Sequence, residues 1–108
     1  MIRTNEIPTV LRKRQIEKKL AQICEEHDVV FLAIFGSFVR GEKKRGSDLD
    51  IAIKYAEGVR KSLFDLVELQ QRLASLFGRK VDIGEYDVIN PYIIGDIEKE
   101  MKVIYEKG

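Results

Sequence analysis

Between Leu11 and His27 the apolar residues Ile16, Leu20, Ile23 and Cys24 recur among charged neighbours, the spacing that lays one apolar stripe along a helix. The pattern then changes. Val29 to Phe35, "VVFLAIF", is an unbroken β-branched and aromatic run, which suits a central strand covered on both faces. "SDLDIAIKY" alternates instead: Leu49, Ile51 and Ile53 project to one side, and Asp48, Asp50 and Ala52 to the other.

Ser62 followed by Asp65 resembles a capping box. Leu63, Leu66, Val67, Leu73 and Phe77 form an apolar stripe behind it, and Gly78 ends the helix. "KVDIGEYD" predicts a third strand with Val81 and Ile83 inward and Asp82 on the opposite face. Asn90-Pro91 reads as a cap followed by a proline at the first helical position, and "MKVIYEK" as a strand that closes the sheet. With a short helix started by Ser37, the predicted order is α-β-α-β-α-β-α-β.

Composition narrows the class. A chain of 108 residues suits one domain, 1–108, with a single core. Its net charge of +1 gives no broad field for nucleic acid, so a nucleic-acid partner is not expected. Cys24 has no second cysteine to pair with, which fits a reducing cytoplasm. Cys24 reads as a small buried hydrophobe and His27 as a last-turn residue suited to the helix dipole. The cations Arg12, Lys13, Arg14, Lys18 and Lys19 read as a solvated face. No signal-like apolar segment opens the chain, and no apolar run approaches the roughly 18 residues of a membrane span.

The chemistry concentrates in "GSFVRGEKKRGSDLDIAI", Gly36 to Ile53. Residues two apart on a strand share a face, so Asp48 and Asp50 present carboxylates about 7 Å apart. If the Asp82 strand pairs beside them, a third carboxylate joins. Such a group repels itself unless protons or cations neutralise it. Magnesium takes hard oxygen ligands and works beside phosphates, and paired ions about 3.5 to 4 Å apart clamp phosphoryl-type displacements. Gly36 allows close backbone approach, and Ser37 can start a helix whose free N–H groups favour an anion. Arg40, Lys43, Lys44 and Arg45 follow closely enough to screen a polyphosphate. Taken singly, a Gly-Ser turn, a D-x-D edge and a basic loop are each ordinary surface features. Together they read as a nucleoside triphosphate site.

The arrangement Gly36-Ser37, then Asp48-x-Asp50, then the later strand carboxylate Asp82 resembles the signature of the minimal nucleotidyltransferases of the DNA polymerase β superfamily. "LFGRKVDI" and "DIEKEMKVIYE" extend that likeness over about Phe31 to Glu106. Val39 departs from it where many members have alanine. The resemblance implies an α/β chain of the α+β type, a small mixed β-sheet with helices on one face and the other face open. It further implies a magnesium-dependent nucleotidyltransferase in which Asp48, Asp50 and Asp82 hold two magnesium ions and Asp82 also serves the attacking hydroxyl. Gly36, Ser37, Arg40 and Ser47 would bind the nucleotide, with ATP as substrate and AMP as the group transferred. Small members of this kind resemble the antitoxin of a pair, encoded beside a helical HEPN protein whose tyrosine is the acceptor. A chain of this length is expected to need such a partner to present the hydroxyl. The alternative is a non-catalytic module that binds nucleotide and silences its partner by complex formation.

Overall fold

The computed structural model describes residues 7, 14–35, 49–88, 95 and 99–107. Helix α1 spans Ile16–Glu26, and strand β1, Val29–Phe35, follows. Strand β2 is Leu49–Tyr55, helix α2 is Leu63–Phe77 and strand β3 is Val81–Glu85. A 3-10 turn, Tyr86–Val88, leaves β3, and strand β4 is Lys102–Glu106. The helix expected after Ser37 lies outside the described residues, as do Asn90 and Pro91. Gly95, Lys99 and Glu100 are helical.

The sheet runs β3-β2-β1-β4. Antiparallel pairing joins β1 to both β2 and β4, whereas β2 and β3 run parallel. A parallel pair needs a crossover, and α2 provides it. The sheet is therefore mixed, as expected. Register sets Leu32 opposite Ile53, and Ile51 opposite both Ile34 and Ile83. These residues share one face, and α1 and α2 cover it with Ile16, Leu20, Ile23, Cys24, Leu69, Leu73 and Phe77. Burial of that layer removes apolar surface from water at about 25 cal/mol per Å² and fixes which side of the sheet the helices take. Phe31 and Ala33 are buried on the opposite side of β1, so the central strand is covered on both faces.

Two expectations need correction. The α1 pattern predicts a helix from Leu11, but Gln15 has φ 60, and a right-handed helix cannot run through a left-handed residue. The helix starts at Ile16, and residues 11–13 lie outside the described residues. In α2, the stripe facing the sheet is Leu66, Leu69, Leu73 and Phe77. Leu63 and Val67 are 74% and 45% exposed. At 3.6 residues per turn they fall on the flank of the line through Leu69 and Leu73.

The local signals at the ends of α2 do act as read. Ser62 Oγ accepts from the Asp65 N–H, and the Asp65 carboxylate accepts from the Ser62 N–H at 2.8 Å. The Ser62 N–H and the Ser62 hydroxyl, both donating to that carboxylate, hold the Asp65 carboxyl below its ordinary pKa. Gly78 closes the helix at φ 67, where a side chain would be strained, and the Arg79 N–H donates to the Ala74 carbonyl. Between the helices, Arg72 donates to Glu26, which also accepts from Gln22. Cys24 is buried, and desolvation pushes its thiol up to about 12, so it is inert as a nucleophile at neutral pH. His27 closes α1 as its C-cap, its N–H donating to the Ile23 carbonyl. No helix among the described residues is long and apolar enough to cross a membrane.

Ser62→Ala should lower unfolding stability by about 1 kcal/mol, since it removes one half of the capping box. Chemical denaturation at neutral pH measures the difference.

Candidate active site

The strand alternation that buries Leu49, Ile51 and Ile53 turns Asp50, Ala52 and Lys54 to the face away from the helices. In β3 the same alternation buries Val81 and Ile83 and turns out Asp82 and Gly84. Parallel pairing then aligns the two sets, Asp50 opposite Asp82 and Ala52 opposite Gly84. Adjacent strands lie about 4.8 Å apart, so the two carboxylates start from neighbouring Cα positions on a common face. Asp50 is half-buried and Asp82 exposed.

Three rows cross this face. The first is Phe35, Asp50 and Asp82, and the second is Ala33, Ala52 and Gly84. In the third, Lys54 pairs with Phe31 across β1 and β2, and Tyr86 stands beside them. The Lys54 ammonium lies 5.0 Å from the Phe31 ring centre and 4.5 Å from that of Tyr86. The two rings meet edge to face at 5.6 Å, a favourable aromatic geometry. Acidic groups thus mark one end of the face and a held cation the other, with small residues between.

Of the residues singled out in the sequence, Asp50 and Asp82 are brought together. Gly36, Ser37, Arg40, Lys43, Lys44, Arg45, Ser47 and Asp48 lie outside the described residues. Among the described residues no group of three or more metal-ligating side chains is assembled. Asp50 and Asp82 nonetheless form a hard-oxygen donor pair on the face away from α1 and α2, and that donor chemistry fits magnesium. The cluster of Phe31, Lys54 and Tyr86 is a feature that the motif reading passed over. The alternation of Asp48, Asp50 and Ala52 puts Lys54 on this face, but nothing in it signals the two rings that meet it there.

Among the described residues, two clefts stand apart from the aspartates. One of about 360 Å³ between α1 and α2 is lined by Lys19, Gln22, Ile23, Arg72, Ser75 and Leu76, on the side of the sheet away from the aspartates. The other, about 300 Å³, lies at the end of β2 and β3 and includes Lys54, Lys61, Glu85 and Asp87. Near it the Tyr55 hydroxyl is buried without a hydrogen-bond partner among the described residues. Desolvation and the charges of Glu85 and Asp65 push its pKa up.

Comparison with known proteins places this geometry in context. The sequence profile of the family described as "Polymerase beta, Nucleotidyltransferase" matches residues 18–108. The Methanocaldococcus jannaschii protein named "putative protein adenylyltransferase MJ1217" is 42% identical over 98 residues, which is 90% of this chain and 93% of that protein. Protein adenylyltransferase MntA of Thermococcus cleftensis is 35% identical over 83 residues, 77% of each chain. A solved structure described as a "putative minimal nucleotidyltransferase" superposes with TM-score 0.65 at 32% identity, covering 82% of this chain and 87% of that one. The structure of a tri-AMPylated Shewanella oneidensis HEPN toxin in complex with its MNT antitoxin matches with TM-score 0.61 at 20% identity, covering 87% and 72%. That last likeness is one of fold.

Asp82→Asn should leave thermal stability unchanged or raise it slightly, since it removes one of two like charges on neighbouring strands. A thermal melt of both proteins checks this, and a large loss would mark Asp82 as structural.

Proposed function

Because this chain belongs to the polymerase beta nucleotidyltransferase family, we propose that it transfers AMP from ATP to a hydroxyl acceptor, a tyrosine of a HEPN-type partner, and serves as the antitoxin of that pair in the cytoplasm. The observation that carries this reading is the register that sets Asp50 opposite Asp82 on the face away from α1 and α2. Support for the acceptor comes from relatives named protein adenylyltransferases and from the AMPylated state of the toxin bound to the related antitoxin.

In the proposed mechanism, Asp48 and Asp50 would hold both magnesium ions, and Asp82 would help to hold one of them. When bound, magnesium supplies charge neutralisation and Lewis acidity at the triphosphate. Asp82 orients the acceptor hydroxyl and takes its proton. The acceptor oxygen forms a bond to the α-phosphorus in line with the bridging oxygen to the β-phosphate. That bridging P–O bond breaks, and pyrophosphate departs with the electron pair. Gly36 and Ser37 seat the departing phosphates, while Arg40 and Ser47 complete the nucleotide contacts.

The direct test uses the protein purified with the product of its neighbouring reading frame, incubated with ATP and magnesium. Intact mass should show the partner gaining one AMP unit or a small whole number of them. A partner silenced by complex formation with no added mass would replace this reading with that of a binding module.

Calorimetry should show that ATP binding depends on magnesium, because an unneutralised triphosphate is repelled by the aspartates. Asp82→Asn should preserve most of that binding yet slow transfer by about 100- to 10,000-fold, the range for loss of a positioned base. Equal loss of affinity and rate would contradict the separate role given to Asp82.

A further inference from the structure

In the first row of the sheet face, Asp50 stands between two unlike neighbours. Parallel pairing puts Asp82 opposite it on β3, and antiparallel pairing puts Phe35 opposite it on β1. Directly opposite residues of an antiparallel pair share a face, with Cβ atoms about 4.5 to 5.5 Å apart. Phe31 and Ala33, which alternate to the same side of β1, are buried, whereas Phe35 at the end of the strand is half-buried. Phe35 thus stands at the accessible end of the face, beside a carboxylate that is itself half-buried.

The core does not account for this ring. Leu32 and Ile34 make the contribution of β1 to the apolar cluster under α1 and α2, and Phe35 projects to the other side. Its effect falls on Asp50 instead. Like charges on Asp50 and Asp82 repel until a cation neutralises them. Asp82 is exposed on the outer strand of the described sheet and can turn to solvent. Asp50 is on an inner strand. To turn away from Asp82 it would press its carboxylate onto the Phe35 side chain, where it loses water and gains no hydrogen bond. The direction that stays open is the one toward Asp82, where an ion can be shared.

We propose that Phe35 is a positioning residue whose ring holds the Asp50 carboxylate toward Asp82, so that the pair closes on an ion of the size of magnesium and discriminates against calcium. The inference rests on the magnesium site of the AMP-transfer reading and is independent of the acceptor. Magnesium requires near-octahedral oxygen ligands at about 2.1 Å, whereas calcium accepts more varied geometry at about 2.3 to 2.6 Å. A carboxylate pair that is free to spread therefore loses magnesium before it loses calcium.

The test is calorimetry of the full chain with a non-hydrolysable ATP analogue, in excess magnesium and in excess calcium. The native protein should bind the analogue more tightly with magnesium. Phe35→Ala should lower that preference by about tenfold, in the range for loss of a group that orients a metal ligand. Phe35→Leu keeps apolar bulk beside Asp50 and should hold the preference within about threefold of native. Val103→Ala is the control, since Val103 is half-buried opposite Ala33 and beside neither aspartate. It should cost packing and leave the preference unchanged. If a thermal melt shows that Phe35→Ala does not fold, Phe35→Thr replaces it, keeping strand propensity while offering the carboxylate a hydroxyl to turn to. An equal loss with both metals, or an unchanged preference, overturns the role given to Phe35. A shift of the same size in Val103→Ala overturns it too, because the preference would then follow stability. So does native protein that binds equally with either metal. A parallel assay of AMP transfer to the product of the neighbouring reading frame separates the two readings. Transfer by the native protein with an unchanged preference in Phe35→Ala defeats the positioning role alone, and a lowered preference with no transfer by the native protein defeats the AMP-transfer reading alone.

Discussion

The parallel register of β2 on β3 sets Asp50 opposite Asp82, Ala52 opposite Gly84, and Leu49 and Ile51 opposite Val81 and Ile83. Because side chains alternate along a strand, a slip of one residue would turn Asp82 toward the helices and Ile83 toward solvent. The same apolar residues that anchor the core therefore align the carboxylates. Desolvating an aspartate against α2 without a partner would cost several kcal/mol, which makes the slipped register inaccessible. The acidic pair thus takes its geometry from hydrophobic burial on the opposite face.

That register depends in turn on α2. A parallel neighbour cannot be reached through a tight turn, and α2 carries the chain from the end of β2 back to the start of β3. Its capping box fixes where it begins, and Gly78 fixes where it stops. The Leu49 N–H donates to the Lys80 carbonyl at 2.9 Å, tying the entry of β3 to the entry of β2 beside Asp50. Antiparallel pairing of β1 with β2 leaves Phe35 next to Asp50 and Phe31 next to Lys54. The open face is consequently polarised, with carboxylates at one end and a ring-held cation at the other.

This polarity sets like charges together at one end of the face. Close to the aspartates, charge has to be neutralised before a triphosphate can approach. The helices pack on the other face, with Cys24 of α1 buried in the same apolar core.

The sequence by itself determined the four strand signals, the inward and outward faces of β2 and β3, the caps of α2, the buried nature of Cys24 and the family motif. Each of these is a local property, carried by period-two or period-3.6 spacing or by a few adjacent residues. It left open whether Asp82 would stand beside Asp50, because strand order and direction depend on contacts far apart in the chain. It overextended α1, since nothing local announces the left-handed conformation of Gln15. It also assigned Leu63 and Val67 to the core, although an apolar stripe only shows that several residues could face inward. Which of them do so depends on the angle at which α2 meets the sheet. The meeting of Phe31, Lys54 and Tyr86, drawn from β1, β2 and the turn after β3, was decided by tertiary structure alone. No spacing along the chain encodes an encounter among three separate segments, and only their packing brings the cation to the rings.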